Sequence, residues 1–500
     1  MYPANLKFLV YPLGLLLLRL LAWPLRSARA RQVLFLIASY LFYASWGRWF
    51  LAVLVLSSLM NYALGAYLRR RPTAGRLWAG VVLNLLLLGI FKYLPPLARM
   101  ASQDSTLAAK LAYLVMPIGI SFWTFQALSY LFDLYREEHL DPSLLEFCLY
   151  MAFWPTVLSG PICRLPNMLP QFRQEWSPSW DDIGSGTQRV CIGVLMMGLA
   201  QLLGDGLRPG QGVNWGFDQT AARWGGIDVW CLAIGFGFQL FFDFAGYSHI
   251  VIGTAQLFGI RLQENFERPH LSTTPSVFWT RWHMSLSFWI RDYVFLPLAT
   301  LRREAWWRSL ALLLSMVLFG LWHRATLLFI LWGTYHGVLL LLHRQWQQVQ
   351  RRLEISWPAY AIIPLSWGFT FAAVSLGWIF FRARELKQAS AMLAAAFSPG
   401  SYHRLALPAN LYLLISLAVA GYFAVVGIAS LLDREAFAQQ PAVRLGRTQP
   451  APRLTGRVLE VLSRDRWVWV APLICVAAFY AFVILRPQET TATPFLYRLF

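Results

Sequence analysis

The chain has 500 residues, 57% of them hydrophobic and 13% charged, with a formal net charge of +19. Soluble domains carry about 25% charged residues, so this composition excludes a water-soluble globular protein and describes a polytopic membrane protein. The basic excess does not describe a nucleic-acid binder either: the arginines sit in short runs between apolar spans, the pattern of cytoplasmic loops facing anionic headgroups, and no continuous basic face on a soluble fold is visible.

A helical span needs ~20 apolar residues. In chain order, spans are predicted at 7–25, 33–47, 49–68, 77–95, 112–133, 143–160, 188–206, 227–258, 309–322 with 325–342, 359–382, 410–432 and 468–486. The first reads as a retained span rather than a signal peptide, because only Lys7 precedes the apolar run and many spans follow. Several segments are short or broken by Gly and Pro. Irregular backbone at membrane depth persists only where protein buries it or a wet cavity meets it. The expected fold is all-α, with about 11 transmembrane helices plus re-entrant or interfacial helices, in one membrane-embedded domain covering 1–500.

Arginine asymmetry sets the expected orientation. Arg26, Arg29 and Arg31 follow the first span, and Arg69, Arg70, Arg71 and Arg76 follow the third. Both loops are expected in the cytoplasm, which puts the amino terminus outside. The loop after 342 (His343, Arg344, Arg351, Arg352) and the Pro-, Gln- and Arg-rich stretch 433–467, read as flexible, are expected on the same side. Cys148, Cys163, Cys191, Cys231 and Cys475 are scattered, with no Cys-x-x-Cys spacing, so no zinc or disulfide framework is expected.

Residues 309–342 lie between two basic loops that should share a side. Two complete crossings with a turn need ~40 residues or more. The turn holding His323 and Arg324 is therefore expected to stop below the far surface, beside a water-accessible cavity. An ionisable group at membrane depth is a functional-site hypothesis by default, and imidazole suits proton transfer near neutral pH. His323, beside Trp322, reads either as a base that deprotonates an acceptor hydroxyl or as an interfacial histidine capping a helix. His283 lies in 276–298, where aromatic and charged residues alternate. As one helix, Arg281, Ser285 and Phe288 share a face, while His283 falls with Ser287. Such a helix either lines a polar tunnel, with Arg281, Ser285 and Arg291 as supporting groups, or lies on the surface as an amphipathic element. His336 is either a second polar group in the same cavity or a packing histidine beside Gly333 and Gly337. Asp243, deep in an apolar span, must pair or protonate, with Arg281 or Arg291 as candidate partners. The run Trp154–Arg164, broken twice by proline, forms a cavity wall or a loop, and Cys163 within it would need a base to act as a nucleophile.

Several segments together resemble the membrane-bound O-acyltransferase family, in the branch with bacterial alginate O-acetyltransferase. They are Ala-Ser-Tyr-Leu-Phe-Tyr (38–43), Pro-Ile-Gly-Ile-Ser-Phe-Trp-Thr-Phe-Gln (117–126), Ser-Gly-Pro-Ile (159–162), Phe-Asp-Phe-Ala-Gly-Tyr-Ser (242–248) and Glu-Asn-Phe-Glu-Arg-Pro (264–269). The most specific are 278–293 and the Leu-Trp-His turn 321–323; the ending 495–500 also fits. The resemblance implies re-entrant helices around a central tunnel and acyl transfer from a cytoplasmic thioester towards an outer acceptor. It implies His323 as the catalytic histidine and His283 as the second histidine of the branch. The chain departs from the family at Arg324, where glycine is usual, and at Pro297-Leu298-Ala299-Thr300-Leu301-Arg302.

The leading expectation is an O-acetyltransferase of the bacterial inner membrane. It uses acetyl-CoA as acyl donor, with no bound cofactor or metal, and modifies an extracytoplasmic polysaccharide through a partner protein. Alternatives are D-alanyl transfer or peptidoglycan O-acylation, a transporter without covalent chemistry, and an inactive scaffold subunit. No internal repeat is evident, which disfavours the transporter.

Overall fold

The computed structural model describes residues 4–25, 27–100, 114–136, 139–174, 179–208, 210–219, 224–354 and 358–432. The predicted span 468–486, the stretch 433–467, Cys475 and the ending 495–500 lie outside the described residues. Apolar runs form helices wherever glycine and proline leave the backbone ladder intact. The main helices are α1 (Ala4–Ala22), α2 (Ala28–Ala44), α3 (Arg48–Arg70), α4 (Ala74–Lys92), α5 (Ile120–Tyr135), α6 (Leu144–Ala152), α7 (Leu165–Arg173), α8 (Trp180–Asp205) and α9 (Gly226–Gln256). Three short helices follow: α10 (Pro275–Trp279), α11 (Met284–Ile290) and α12 (Leu296–Thr300). The last four long helices are α13 (Ala305–His323), α14 (Leu327–Arg352), α15 (Ala359–Arg382) and α16 (Ala409–Leu432), with a 12-residue helix, Leu386–Phe397, between the final two. Among the described residues, eight helices are long and apolar enough to cross a membrane: α3, α4, α8, α9, α13, α14, α15 and α16.

Of the other predicted spans within the described residues, 7–25 forms the 19-residue α1, and 33–47, 112–133 and 143–160 form shorter helices. Pro117 and Gly119 delay the start of α5, which has 16 residues. α6 has nine residues and gives way to the irregular, buried turns of 153–160. α2 starts earlier than predicted, so Arg29 and Arg31 belong to its first turn and not to a loop. Arg31 is buried and bonds the Gln174 carbonyl. α8 also starts early, where Ser179 and Asp182 form a reciprocal cap that satisfies free N–H groups.

α9 is the central helix. It is buried along most of its length, whereas the other long helices bury one face and expose residues such as Leu56, Leu86, Leu318 and Leu417. Glycines seat it against α8. A Cβ on Gly193 would stand 2.4 Å from the Gly246 carbonyl oxygen, and one on Gly253 would stand 2.6 Å from that of Gly186. Backbones this close are the hallmark of helix pairs packed through small residues, where dispersion replaces the missing hydrophobic drive. Between α3 and α4, Asn61 and Asn84 exchange amide hydrogen bonds of 3.0 and 2.7 Å, satisfying two buried polar groups at once.

The hairpin of α13 and α14 is longer than predicted. Both helices extend into their basic flanks, to 19 and 26 residues, so the shortage of chain that suggested a shallow turn disappears. Close approach, not a short chain, fixes the turn: a Cβ on Gly320 would stand 2.1 Å from the Phe329 carbonyl oxygen, and one on Gly333 2.3 Å from that of Met316.

Candidate active site

His323 is the last residue of α13 and is buried, while Arg324, next in the chain, is exposed. Its ring stacks on Phe319 at 5.4 Å and meets Trp322 edge-on at 4.7 Å. Two groups at the end of α4 cap this helix end. The Lys92 ammonium donates to the Trp322 carbonyl, and the Tyr93 hydroxyl donates to the Leu321 carbonyl at 3.3 Å. Carbonyls at a helix C-terminus lack intrahelical donors and carry partial negative charge, so a cation there is favourable.

The segment predicted as one helix over 276–298 is broken. α10 ends at Trp279, Phe266 and Trp282 form an antiparallel bridge, and a π-helical turn spans Arg291–Phe295. His283 lies in the break with φ 43° and ψ 54°, a left-handed conformation that few non-glycine residues adopt. Asn265 holds this turn: its carbonyl accepts from Met284 N at 2.9 Å, and its side-chain oxygen from Ser285 N at 3.4 Å. A third hydrogen bond ties Asn265 to Ser248 on α9 at 3.1 Å. His283 is the N-cap of α11, and the Ser287 amide donates to its carbonyl at 2.9 Å, the i+4 to i bond that opens that helix.

The two imidazoles, forty positions apart in the chain, line the same small cavity with Leu240, Phe244, Trp282, Trp332, Trp378 and Phe381. Its volume is ≈ 10 Å³, room for about one water molecule. Phe244 meets the His283 ring edge-on at 4.6 Å.

The other predicted residues divide. Trp322 touches His323 and lies 5.4 Å from Phe125. Asp243 is buried on α9, one position before the cavity-lining Phe244. Ser285 is buried at the start of α11, and its hydroxyl has no hydrogen-bond partner among the described residues. Arg281 is half-buried beside the bridge, its carbonyl accepting from Glu267 N at 3.0 Å. Arg291 is exposed and bonds Asp292 at 2.7 Å. His336 is buried in helix packing, with Trp279 at 5.2 Å and Trp332 at 5.1 Å, and a Cβ on Gly377 would touch its ring at 2.7 Å. It is not among the residues lining the histidine cavity.

A separate open cleft of ≈ 360 Å³ is lined by Asp133, Arg136, Arg164, Asp292 and Tyr293, among others. Arg164 pairs with Asp292 at 2.7 Å, and Tyr293 donates to Asp133 at 2.7 Å. Burial raises the Asp292 carboxyl, but bonds from Arg291 and Arg164 outweigh it and the net direction is down. Rings in contact lead from Tyr293 through Trp289, Phe125 and Trp322 to His323. Cys163 is buried, which pushes its thiol up to about 12 and disfavours the thiolate. Among the described residues, no three His, Cys, Asp or Glu side chains form a metal site.

Sequence reading missed Lys92, Tyr93 and Asn265, together with the wall of Trp332, Trp378 and Phe381. Lys92 ends an apolar span, where a lysine ordinarily reaches for water. Asn265 stands in the recognisable Glu-Asn-Phe-Glu-Arg-Pro segment, but nothing local shows that it clamps His283.

The family profile described as MBOAT, membrane-bound O-acyltransferase family, matches residues 62–382, which include both cavity histidines. A protein named "Probable alginate O-acetylase AlgI" from Azotobacter vinelandii is 32% identical over 492 residues, covering 95% of each chain. One of the same name from Pseudomonas aeruginosa is 34% identical over 392 residues, covering 76% of this chain and 72% of its own. A peptidoglycan O-acetyltransferase from Helicobacter pylori is 29% identical over 409 residues, covering 75% of this chain and 76% of its own. The chain belongs to the membrane-bound O-acyltransferase family and is a multi-pass membrane acyltransferase.

Proposed function

We propose that the protein transfers acetyl from cytoplasmic acetyl-CoA to hydroxyl groups of an extracytoplasmic polysaccharide presented by a partner protein. Its setting is the bacterial inner membrane, with the amino terminus outside. The observation that carries this reading is the pair of buried imidazoles, His283 and His323, lining one cavity. The two alginate O-acetylase relatives, aligned over most of the chain, support acetyl as the group and a polysaccharide as the acceptor.

In this mechanism the acceptor hydroxyl gives its proton to a ring nitrogen of His323 as its oxygen attacks the thioester carbonyl. The new O–C bond forms, the C–S bond breaks, and the thiolate leaves as a free thiol after taking the proton from the imidazolium. His283 orients the acyl carbonyl from across the cavity. Asp243, Arg281, Ser285 and Trp322 serve as supporting groups, while Arg291 and His336, which lie off the cavity, hold the elements around it. A well-placed base contributes roughly 10²–10⁴-fold.

The test uses membrane vesicles carrying the full chain and its acceptor fraction, supplied with labelled acetyl-CoA. His323→Ala is expected to lower both thioester breakdown and ester formation by roughly 10²–10⁴-fold. Equal turnover in wild type and variant removes His323 from the mechanism. Label that accumulates inside vesicles as intact acetyl-CoA, with no ester formed, favours a transporter.

A further inference from the structure

We propose that the aromatic wall beside His323 is an acyl-length filter that restricts the donor to acetyl, with Trp378 as its gauge; the inference rests on the acyl-transfer reading above. The wall is continuous. Ring centres of Trp282 and Trp378 lie 4.9 Å apart, those of Trp378 and Phe381 5.8 Å, and those of Phe381 and Trp332 5.3 Å. Phe381 and Trp332 stand 5.2 and 5.5 Å from the His323 ring. The space they leave is ≈ 10 Å³. A methyl group occupies such a space with small adjustments, whereas each further methylene must displace a packed ring.

Trp378 has nowhere to retreat. Only 1% of it is exposed, and its indole lies flush on the α9 backbone: a Cβ on Gly237 would stand 2.7 Å from both Cδ1 and Nε1. Interiors packed to this density resist added volume, and overpacked side chains are forced from their rotamers. Glycine at 237 therefore sets how deep the indole sits, and the indole sets how long an acyl chain the cavity takes. One methylene in a tight apolar pocket changes discrimination by about 10-fold or more.

The experiment compares initial transfer rates from acetyl-CoA and hexanoyl-CoA, using the full chain in native membranes with its acceptor. Wild type is expected to prefer acetyl by at least about 10-fold. Trp378→Ala is expected to cut that preference by about 10-fold, chiefly by raising hexanoyl transfer. Gly237→Ala, which drives the indole into the cavity, is expected to lower acetyl transfer without admitting hexanoyl. Where the alanine variant is not recovered folded, Trp378→Phe is read in the same way. An unchanged preference in a folded Trp378 variant that still transfers acetyl overturns the filter and leaves acyl transfer standing. Failure of wild type to transfer either group, in membranes that contain donor and acceptor, overturns both.

Discussion

Lys92 and Trp322 meet at the end of the helix that carries His323. The ammonium donates to the Trp322 carbonyl and stands 5.0 Å from the centre of the indole ring. One charge thus caps the helix terminus and fixes the residue before the histidine. Capping alone would stabilise α13; capping at this residue also sets where the imidazole points. Lys92→Met keeps the apolar stem and removes the donor. It is expected to leave a folded protein whose transfer rate falls by roughly 10–100-fold, because small misplacements of a reacting group are costly. Rates measured beside a size-exclusion profile check this, and an undiminished rate in a folded variant removes the positioning role.

The backbone of His283 separates a structural contribution from a chemical one. Its φ of 43° costs an L-residue roughly 1–2 kcal/mol and costs glycine almost nothing. His283→Gly is therefore expected to melt higher than His283→Ala, although both lack the imidazole. If the ring is what transfer needs, the two variants lose activity equally. A glycine variant that keeps wild-type turnover would leave the left-handed turn as the only requirement at this position.

Helix existence was legible in the chain because apolar runs of ~20 residues have few alternatives in lipid. α15 falls where it was predicted, and α9 and α16 within two residues of it. Boundaries moved where capping chemistry or proline intervened, as at Ser179 for α8 and Pro117 for α5. The segment holding His283 broke for a reason no periodicity reveals: Phe266 and Asn265, from a separate loop, compete with the helix for its backbone groups. The two histidines could be named from their apolar settings, but their shared cavity is a tertiary fact. So is the role of Lys92, whose partner lies 230 positions away.

Glu146 gives a pH signature away from the cavity. Arg173 bonds its carboxylate at 2.7 and 2.9 Å, and Ser143 N donates to it at 2.7 Å. The Arg173 bond lowers the Glu146 carboxyl from its ordinary 4.5, burial opposes the shift, and the Ser143 bonds add to the lowering. A carboxyl lowered on folding stabilises the protein above its ordinary range, and that contribution is lost as pH falls through the lowered value. Glu146→Gln is therefore expected to melt below wild type at neutral pH, with the gap closing well below pH 4.5. A gap that persists unchanged in strong acid would mean that the pair is not what holds α6 and α7 together.

Two glycine-to-alanine changes should act in opposite directions, because the added carbon meets different surroundings. At Gly320 the Cβ would lie 2.1 Å from the Phe329 carbonyl oxygen and 3.0 Å from its carbon, both backbone atoms that cannot rotate away. The hairpin must open to admit it, and such overpacking costs about 1–3 kcal/mol. At Gly89, on α4, nothing lies within 4 Å, so alanine there only reduces the freedom of the unfolded chain and is worth roughly 0.5–1 kcal/mol of stability. Thermal melts in detergent are expected to place Gly320→Ala below wild type and Gly89→Ala at or above it. Because Gly320 precedes His323 by three residues, opening the hairpin also displaces the imidazole, so Gly320→Ala should lose transfer activity at temperatures where it remains folded. Retained activity with a lowered melting point would show that the hairpin can spread without moving His323.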